Sequence, residues 1–402
     1  MKENRKGDIF MSLVNTPSGN RLHIGIFGKR NSGKSSLLNA ITGQEIALVS
    51  EVKGTTTDPV SKAMEIHPIG PCLLIDTAGF DDTGDLGNMR IEKTKAVLDK
   101  TDVAVVVFSD MQMELETQWI AMLRQRKIPI LAVVNQVDRI EQAQEIKRQI
   151  EQRFSLTPLL VSAKEKTGIS QMKHEILRLM PPDFEAQSLT GSLVQPEDVV
   201  LLVMPQDKQA PKGRLILPQV QTIRDLLDNH CVVMCVTTEQ LSTALQALAK
   251  PPKLIITDSQ AFAQVYPLKP AETLLTSFSI LLAAYKGDLS AFVKGANALD
   301  SLTDDSHVLI AEACTHAPLQ EDIGRVKIPN MLRKKYGEHL QVTVVSGSQF
   351  PKDLSEYQLI IHCGACMFNR KHVLTRVEQA EQQGVPITNY GVVLAKLTGI
   401  LD

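Results

Sequence analysis

The sequence is poor in aromatic residues and has no excess of positive charge. Aromatic side chains make up 4% of its 402 residues, there is a single Trp, and the formal net charge is −2. Neither residues 1–180 nor residues 181–402 carry a large basic excess. Proteins bind nucleic acids through basic surfaces and stack single-stranded bases on aromatic rings. The composition therefore predicts a protein that does not bind nucleic acid.

Long hydrophobic runs are also missing. No apolar run approaches the ~20 residues that cross a bilayer, and the first twenty residues contain no hydrophobic signal-peptide core. We therefore expect a cytoplasmic protein without a membrane segment. Disulfides are rare in that compartment, so cysteines that stand near histidines are better candidates for metal binding. The six cysteines are Cys72, Cys231, Cys235, Cys314, Cys363 and Cys366.

Short β-branched runs alternate with helix-length segments, which predicts an α/β fold with mostly parallel sheets. In the first part of the chain the predicted strands are 22–28, 71–77, 103–109, 129–135 and 158–163. Pro181-Pro182 ends the last helix of this part and begins a connector. The sequence thus predicts a nucleotide-binding α/β domain over residues 1–180.

Two further, smaller α/β domains are predicted after this connector. Residues 181–268 contain three predicted strands, and a sheet this small has an edge that a second copy of the chain could cover. We expect this block to form a homodimer. Residues 269–402 are predicted to begin with a helix over 272–298 and to continue with four strands.

A phosphate-binding loop follows the first predicted strand. Residues 28–35, GKRNSGKS, fit G-x-x-x-x-G-K-[ST], and a helical run follows at once. In such a loop, backbone N–H groups and the helix N-terminus surround the phosphates. Lys34 is expected to reach the β- and γ-phosphates, and the Ser35 hydroxyl to bind Mg²⁺. The predicted phosphate-binding residues are Gly28, Asn31, Ser32, Gly33, Lys34, Ser35 and Ser36.

Three further segments have the order of GTPase motifs. In DTAG, Asp76 is predicted to help hold Mg²⁺, and the Gly79 N–H to contact the γ-phosphate. Thr56 occupies the switch I position and is the predicted Mg²⁺-binding threonine. In NQVD, the Asp138 carboxylate suits the N1–H and N2–H₂ donors of guanine. These motifs stand at the carboxyl ends of predicted parallel strands, where open α/β sheets bind ligands. Together they predict that the ligand is GTP or GDP. The base-site residues are Asn135, Asp138, Ser162, Ala163 and Lys164.

These motifs resemble the TrmE–Era–EngA branch of P-loop GTPases, whose loop reads G-x-x-N-x-G-K-S. Asn31 matches the asparagine of that branch, and the resemblance implies that it helps to hold K⁺ beside the phosphates. Phe80 stands where Ras-type enzymes carry a water-orienting Gln. We therefore expect slow hydrolysis that depends on potassium, a partner or a switch rearrangement. The expected catalytic residues are Lys34, Thr56, Asp76 and Gly79.

Two cysteine–histidine clusters stand just past predicted strands of the last block. One contains Cys314 and His316, and the other contains His362, Cys363 and Cys366. If these strands are parallel neighbours, the clusters meet at one sheet edge. A structural zinc would take three cysteines and one histidine, whereas an iron–sulfur cluster would take three thiolates and leave one iron exchangeable. Spacing alone does not separate the two, and a CxxC redox pair leaves Cys314 and the histidines unexplained.

The motif C-x-H, followed later by H-C-x-x-C behind a TrmE-like GTPase domain, resembles the HydF family of FeFe-hydrogenase maturation GTPases. The resemblance covers the whole chain, in the order GTPase, dimerisation and cluster domain. It implies a 4Fe–4S cluster on Cys314, Cys363 and Cys366. It also implies a di-iron precursor made with the radical-SAM partners HydE and HydG and delivered to apo-hydrogenase.

The fourth position on such a cluster has several candidates. We favour Glu321, because a carboxylate is an easily displaced ligand of iron. His316 and His362 are also candidates, either as the fourth ligand or as residues that contact the ligands. Glu312 is a further candidate beside Cys314.

Two other functions fit parts of the sequence. One is a TrmE/Era-like regulatory GTPase, directed to RNA or the ribosome, with a structural zinc. The near-neutral C-terminal part, which has no RNA-binding motif, counts against it. The other is a GTPase linked to metal transport, which the expected lack of a membrane segment opposes.

Overall fold

The chain forms two compact units, Met1–Glu185 and Ala186–Asp402. The computed structural model describes residues 16–43, 60–77, 85–182, 184, 188–205, 215–313, 323–347 and 349–401. The boundary between the units lies close to the one predicted after residue 180. The boundary predicted after residue 268 falls inside the second unit, so the three-domain division stays a prediction.

The first unit contains a six-stranded sheet with helices on both faces. Its strands are β1 Leu22–Gly28, β2 Val60–Ile66, β3 Gly70–Asp76, β4 Val103–Phe108, β5 Ile130–Val134 and β6 Leu159–Leu160. Its helices are α1 Lys34–Thr42, α2 Asp85–Leu98, α3 Glu114–Gln125, α4 Ala143–Phe154 and α5 Ile169–Leu179. The strand order is β2-β3-β1-β4-β5-β6, with β2 antiparallel to β3 and the other pairs parallel. The predicted α/β fold with a mostly parallel sheet is confirmed.

The two central strands, β1 and β4, are buried along their whole length. Helices α1 and α5 cover one face of the sheet with residues such as Leu38 and Met172. Helices α3 and α4 cover the other face with residues such as Trp119 and Ile150. Strands covered on both faces read as continuous apolar runs, which is why the sequence predicted them well. The missed strand, β2, lies at the sheet edge and alternates exposed with less exposed residues.

The second unit contains two four-stranded parallel sheets. The first has strands β7 Val199–Val203, β8 Val232–Val236, β9 Leu254–Thr257 and β10 Leu274–Ser277, in the order β10-β9-β7-β8. The second has strands β11 His307–Glu312, β12 Gln341–Ser346, β13 Leu359–His362 and β14 Ile387–Asn389, in the order β12-β11-β13-β14. The helices are α6 Leu217–Asp228, α7 Leu241–Ala247, α8 Phe262–Val265, α9 Phe278–Lys286, α10 Leu289–Ala296, α11 Ile328–Tyr336, α12 Arg370–Gln382 and α13 Tyr390–Leu397.

The single helix predicted over 272–298 is wrong. The segment forms strand β10 and then two helices, α9 and α10. Side-chain caps set the two helix starts: the Ser277 Oγ accepts from the Ile280 N–H, and the Asp288 carboxylate accepts from the Ala291 N–H. Strand β10 pairs with β9, so the middle sheet has four strands and extends past residue 268.

Helix α9 belongs to the cores of both sheets in the second unit. Phe278, Leu281 and Leu282 pack in the core under β7 and β9, whereas Ala283 packs in the core under β11 and β13. Helix α9 is therefore fixed from both sides. No helix among the described residues combines the length and apolarity needed to span a membrane.

Candidate functional site

The phosphate-binding loop connects β1 to α1. Gly33 has a φ of +85°, and a Cβ atom there would lie 2.3 Å from Asn135 Nδ2, so the position requires glycine. Lys34 is buried, and its Nζ donates hydrogen bonds to the carbonyl oxygens of Gly28 (3.0 Å) and Lys29 (2.8 Å). The ammonium therefore lies across the loop that surrounds the phosphates in this class of site. Ser32 is buried in the loop, and Ser36 is exposed at the start of α1.

Ser35 and Asp76 meet at the end of β3. The Ser35 Oγ donates a 2.9 Å hydrogen bond to Asp76 Oδ2. Burial raises the pKa of Asp76, against the Ser35 hydrogen bond and the Lys34 charge. Asp76 Oδ1 is buried and has no hydrogen-bond partner among the described residues. A buried carboxylate of this kind needs a compensating cation, so the pair fits Mg²⁺. Thr56 and Gly79, the other residues predicted near the metal and the γ-phosphate, lie outside the described residues.

Asn135 ties the base site to the phosphate-binding loop. Its Nδ2 donates to the Ser32 carbonyl oxygen (3.0 Å), and its Oδ1 accepts from the Ala163 N–H (3.3 Å). The side chain of Gln136 donates a 2.9 Å hydrogen bond to the carbonyl oxygen of Asn31. Asn31 is exposed and has a φ of +61°. The role of Gln136 as a second link was missed in the sequence, where its position inside NQVD was the one available signal.

The predicted guanine-binding carboxylate is held by the next loop. Ser162 Oγ donates a 2.6 Å hydrogen bond to Asp138 Oδ1. This bond is the main cause of a lowered pKa of Asp138, and the charge of Lys164 acts in the same direction. Asp138 therefore stays an ionised acceptor, as recognition of two N–H donors requires.

A charged group that no sequence motif indicated joins the phosphate-binding loop to the residues around the start of α3. Lys29 Nζ lies 2.7 Å from Asp110 Oδ1 and 3.7 Å from Glu116 Oε2. Glu116 is buried on α3, and burial raises its pKa to about 7. The ion pairs connect the phosphate-binding loop to the segment before α3, through Asp110, and to the first turn of α3, through Glu116.

The strands that precede the two cysteine clusters are parallel neighbours, which is the condition under which the sequence predicts that the clusters meet. Strands β11 and β13 pair in parallel, with Ala311 opposite His362. The Cys363 N–H donates to the Ala311 carbonyl oxygen, and the Ala313 N–H donates to Cys363 Sγ, both at 3.0 Å. Cys314, the residue after Ala313, lies outside the described residues, as do His316 and Glu321.

Cys363 lies in a setting that suits a metal-bound thiolate. Its Sγ accepts amide N–H groups from Ala313 and from Ala365 (3.4 Å). Burial raises the pKa of the Cys363 thiol to about 11, and these two hydrogen bonds oppose the rise. Amide N–H bonds to sulfur are a recurring support of iron–sulfur ligands. The described residues contain no group of three or more His, Cys, Asp or Glu that could hold a metal ion, and Cys314 is not among them.

The CxxC turn is partly buried. Ala365 adopts a φ of +51° and is buried in the core under β11 and β13. Cys366 is half-buried and packs against the core that contains Leu281 and Leu282. Residues of the turn therefore pack against the protein core and do not project into solvent.

His362 uses both ring nitrogens within the protein. Arg376 Nη1 lies 3.0 Å from His362 Nε2, and because a guanidinium can only donate, Nε2 accepts and Nδ1 carries the hydrogen. Nδ1 then donates to the Cys363 carbonyl oxygen at 2.9 Å. Burial and the Arg376 charge lower the pKa of His362 to about 3, so the ring is neutral. This geometry favours a supporting position over direct coordination.

Glu312 is likewise occupied by neighbours. Its carboxylate is buried and lies 3.0 Å from Arg325 Nη2, and it accepts from Ser346 Oγ (3.2 Å) and Tyr390 (3.4 Å). These contacts compensate the charge of the Glu312 carboxylate and occupy its oxygens, so it needs no metal ion.

Three protein-family models match successive parts of the chain. Residues 23–136 match a family described as 50S ribosome-binding GTPase. Residues 189–287 match the hydrogen maturase F dimerization domain, and residues 290–402 match the hydrogen maturase F tetramerization domain. The chain belongs to the HydF family. Its first unit is a P-loop GTPase domain, and its second unit carries both oligomerisation domains of HydF proteins, which confirms the resemblance found in the sequence.

Individual relatives match the GTPase part of this HydF chain. GTPase Der of Wolinella succinogenes is 33% identical over 172 residues, covering 39% of the chain and 36% of the relative. The tRNA modification GTPase MnmE of Flavobacterium johnsoniae is 32% identical over 190 residues, covering 45% of the chain and 39% of the relative. The chain thus spans well under half the length of these relatives. Among solved structures, Era of Aquifex aeolicus has a TM-score of 0.36 and 17% identity, covering 63% of this chain and 99% of that one.

Proposed function

We propose that this HydF protein is a GTP-hydrolysing carrier in the assembly of the FeFe-hydrogenase active site. In this account it holds a 4Fe–4S cluster on Cys314, Cys363 and Cys366 and delivers a di-iron precursor to apo-hydrogenase. The observation that carries the proposal is the pair of amide hydrogen bonds on Cys363 Sγ, one of them from the residue directly before Cys314. HydE and HydG are the proposed sources of the precursor.

The residues around the cysteines have separate roles in this proposal. A bound cluster supplies an iron whose fourth ligand can be exchanged for cargo. His362 holds the backbone of Cys363 through Nδ1 and is itself oriented by Arg376. Since Glu312 is already paired with Arg325, the exchangeable ligand is assigned to Glu321, with His316 as the alternative.

The GTPase domain supplies the reaction that the chain carries out itself. Lys34 binds the β- and γ-phosphates, and Ser35, Thr56 and Asp76 hold Mg²⁺. The Gly79 N–H contacts the γ-phosphate, Asn31 holds K⁺, and Asp138 reads guanine. Ordering of the switch segments around GTP, and their release after hydrolysis, would change how partners dock.

The homodimer is proposed to form through the middle sheet. Strand β8 is at the edge of this sheet, and Val232 on it is 56% exposed. Helix α6, which packs beside β8, exposes Val220 and Leu227. A second copy of the chain would pair with the edge and cover these apolar side chains.

A transfer assay tests the carrier function. The full chain is loaded anaerobically with cluster and precursor, freed of small molecules and mixed with apo-hydrogenase, and hydrogen evolution is measured. The wild-type chain should activate the hydrogenase, and a Cys363→Ala chain treated identically should not. Equal activation by both chains, or none by the wild type, contradicts the proposal. Running the assay with GTP and with GDP tests whether the bound nucleotide controls the docking of partners. This part of the proposal is wrong if the nucleotide changes neither transfer nor partner affinity.

A further inference from the structure

A buried lysine lies beside the CxxC turn. Lys286, the last residue of α9, is 1% exposed. Its Nζ donates to the carbonyl oxygens of Ala365 (3.2 Å), Cys366 (3.0 Å) and Phe368 (2.8 Å). These three acceptors belong to the turn and the residues just after it. All three N–H donors of the ammonium thus hydrogen-bond to the segment that contains Cys363 and Cys366.

Burying an ammonium is costly unless an opposite charge compensates it. The three carbonyl oxygens hydrogen-bond to the ammonium but do not neutralise it. Within the described part of the chain, no carboxylate oxygen lies within 4.0 Å of Lys286 Nζ. Burial lowers the pKa of Lys286 to about 8, and negative charge on the Cys366 and Cys363 sulfurs acts in the opposite direction. When the two cysteines bind a metal they do so as thiolates, and these thiolates then supply the negative charge that compensates the ammonium.

The backbone on both sides of this lysine is held in return. Arg370 Nη1 donates to the carbonyl oxygens of Tyr285 (2.9 Å) and Gly287 (3.1 Å), the two neighbours of Lys286. Arg370 follows the CxxC segment directly and begins α12. Helix α9 and the CxxC segment thus bind each other through two cations. Because α9 is packed in two cores, the Lys286 ammonium has a fixed position.

We propose that Lys286 is a positioning residue of the cluster site: it fixes the CxxC backbone and provides the positive charge that offsets the thiolates and the cluster they bind. The inference rests on the proposed cluster function and goes beyond the ligand set. A nearby positive charge favours the reduced, more negative form of a cluster. Removing it should lower the reduction potential of the cluster, whereas a purely structural lysine would affect only folding and iron content.

Three substitutions separate charge from hydrogen bonding. Lys286→Met keeps the length and removes both, Lys286→Gln keeps an N–H₂ donor without the charge, and Lys286→Arg keeps the charge. Lys294→Met, on the exposed side of α10, is the matched control. Each full-length chain is reconstituted anaerobically with iron and sulfide. Iron per chain is then determined, and the cluster potential is measured by EPR-monitored redox titration.

We expect Lys286→Met and Lys286→Gln to have a more negative potential than the wild type, with Lys286→Arg and Lys294→Met close to it. Lys286→Met should also retain less iron than Lys286→Gln. Wild-type potentials in both uncharged variants overturn the inference, as does a shift in Lys286→Met that Lys286→Gln does not share. If Lys286→Met does not fold, the comparison of the cluster potentials of Lys286→Gln and Lys286→Arg tests the inference.

A second readout needs no cluster. In the iron-free chain, Co²⁺ bound by the cysteines is titrated by its thiolate charge-transfer absorption. Both uncharged variants should bind Co²⁺ at least about tenfold more weakly than the wild type and Lys286→Arg, as expected for a residue that supports metal ligands. Equal affinities contradict the inference. A wild-type chain that takes up no cluster would instead refute the proposed function.

Discussion

The backbone N–H of Ala313 donates a 3.0 Å hydrogen bond to the Sγ of Cys363. The bond joins the ends of β11 and β13, two strands that are far apart in sequence and adjacent in the sheet. It brings the residue before Cys314 to the first cysteine of the CxxC pair. This relationship supports the proposed three-cysteine cluster site, and the first prediction follows from it.

Cys363→Ser should abolish cluster binding. A serine hydroxyl is a poor replacement for a buried thiolate that two amides support, so iron should fall from about four per chain to well below one. Cys235→Ser, on the exposed edge strand β8, is the matched control and should keep its iron. Metal analysis of both chains after identical anaerobic reconstitution measures the effect. Full iron content in Cys363→Ser would rule out the ligand assignment.

Asp138→Asn should change the base that the GTPase domain prefers. The amide replaces one carboxylate acceptor with a donor, and hydrogen bonds to a charged group are worth about 1.5–3 kcal/mol each. GTP affinity should therefore fall by about 100-fold, whereas xanthosine triphosphate, which presents an acceptor in place of the 2-amino group, should bind better. Calorimetric titration measures both, with the exposed Glu141→Gln as control. Unchanged GTP affinity would remove Asp138 from the base site.

Glu116→Gln should stabilise the first unit at alkaline pH. The pKa of the buried Glu116 is raised from 4.5 to about 7, so the folded state favours the protonated form. Its ionisation therefore opposes folding increasingly as pH rises from about 4.5 to about 7, by up to about 3 kcal/mol above this range. The substitution should raise the unfolding temperature at pH 8 and have little effect at pH 4.5.

The fluorescence of Trp119, the single Trp of the chain and on the same helix, reports this transition. Glu114→Gln, exposed on α3, is the control and should behave as the wild type at both pH values. A stabilisation of equal size at pH 4.5 and pH 8 would show that the ionisation of Glu116 is not its cause.

Val232→Lys should weaken the homodimer. A charged side chain at the exposed first residue of an edge strand opposes pairing with a second copy. Sedimentation should detect a lower association constant than in the wild type, while GTP binding in the other unit is unaffected. Lys253→Met, an exposed position beside β9, is the control. An unchanged association constant would place the dimer contact elsewhere than β8.

The sequence predicted those features that local patterns encode. The buried strands β1, β4, β11 and β13 are largely apolar runs, and motifs follow three of them: the phosphate-binding loop follows β1, and the cysteine clusters follow β11 and β13. The segment over 272–298 was misread because its apolar residues suit a helix throughout, whereas pairing with β9 turns its start into a strand.

The supporting residues of the cluster site have no local pattern. Lys286 stands at the end of a largely apolar helix that is far from the CxxC pair in sequence, and only the packing of α9 brings them together. Similarly, nothing around His362 indicates that Arg376, one helix later, occupies its second ring nitrogen. Such contacts depend on tertiary packing, which a single sequence does not display.

Anaerobic reconstitution of the full-length wild-type chain with iron and sulfide, followed by metal analysis and EPR of the dithionite-reduced protein, tests the central claim most directly. The account predicts about four irons per chain and the EPR signal of a reduced 4Fe–4S cluster. One tightly bound zinc per chain, with no iron and no such signal, would contradict it and leave a GTPase with a structural metal site.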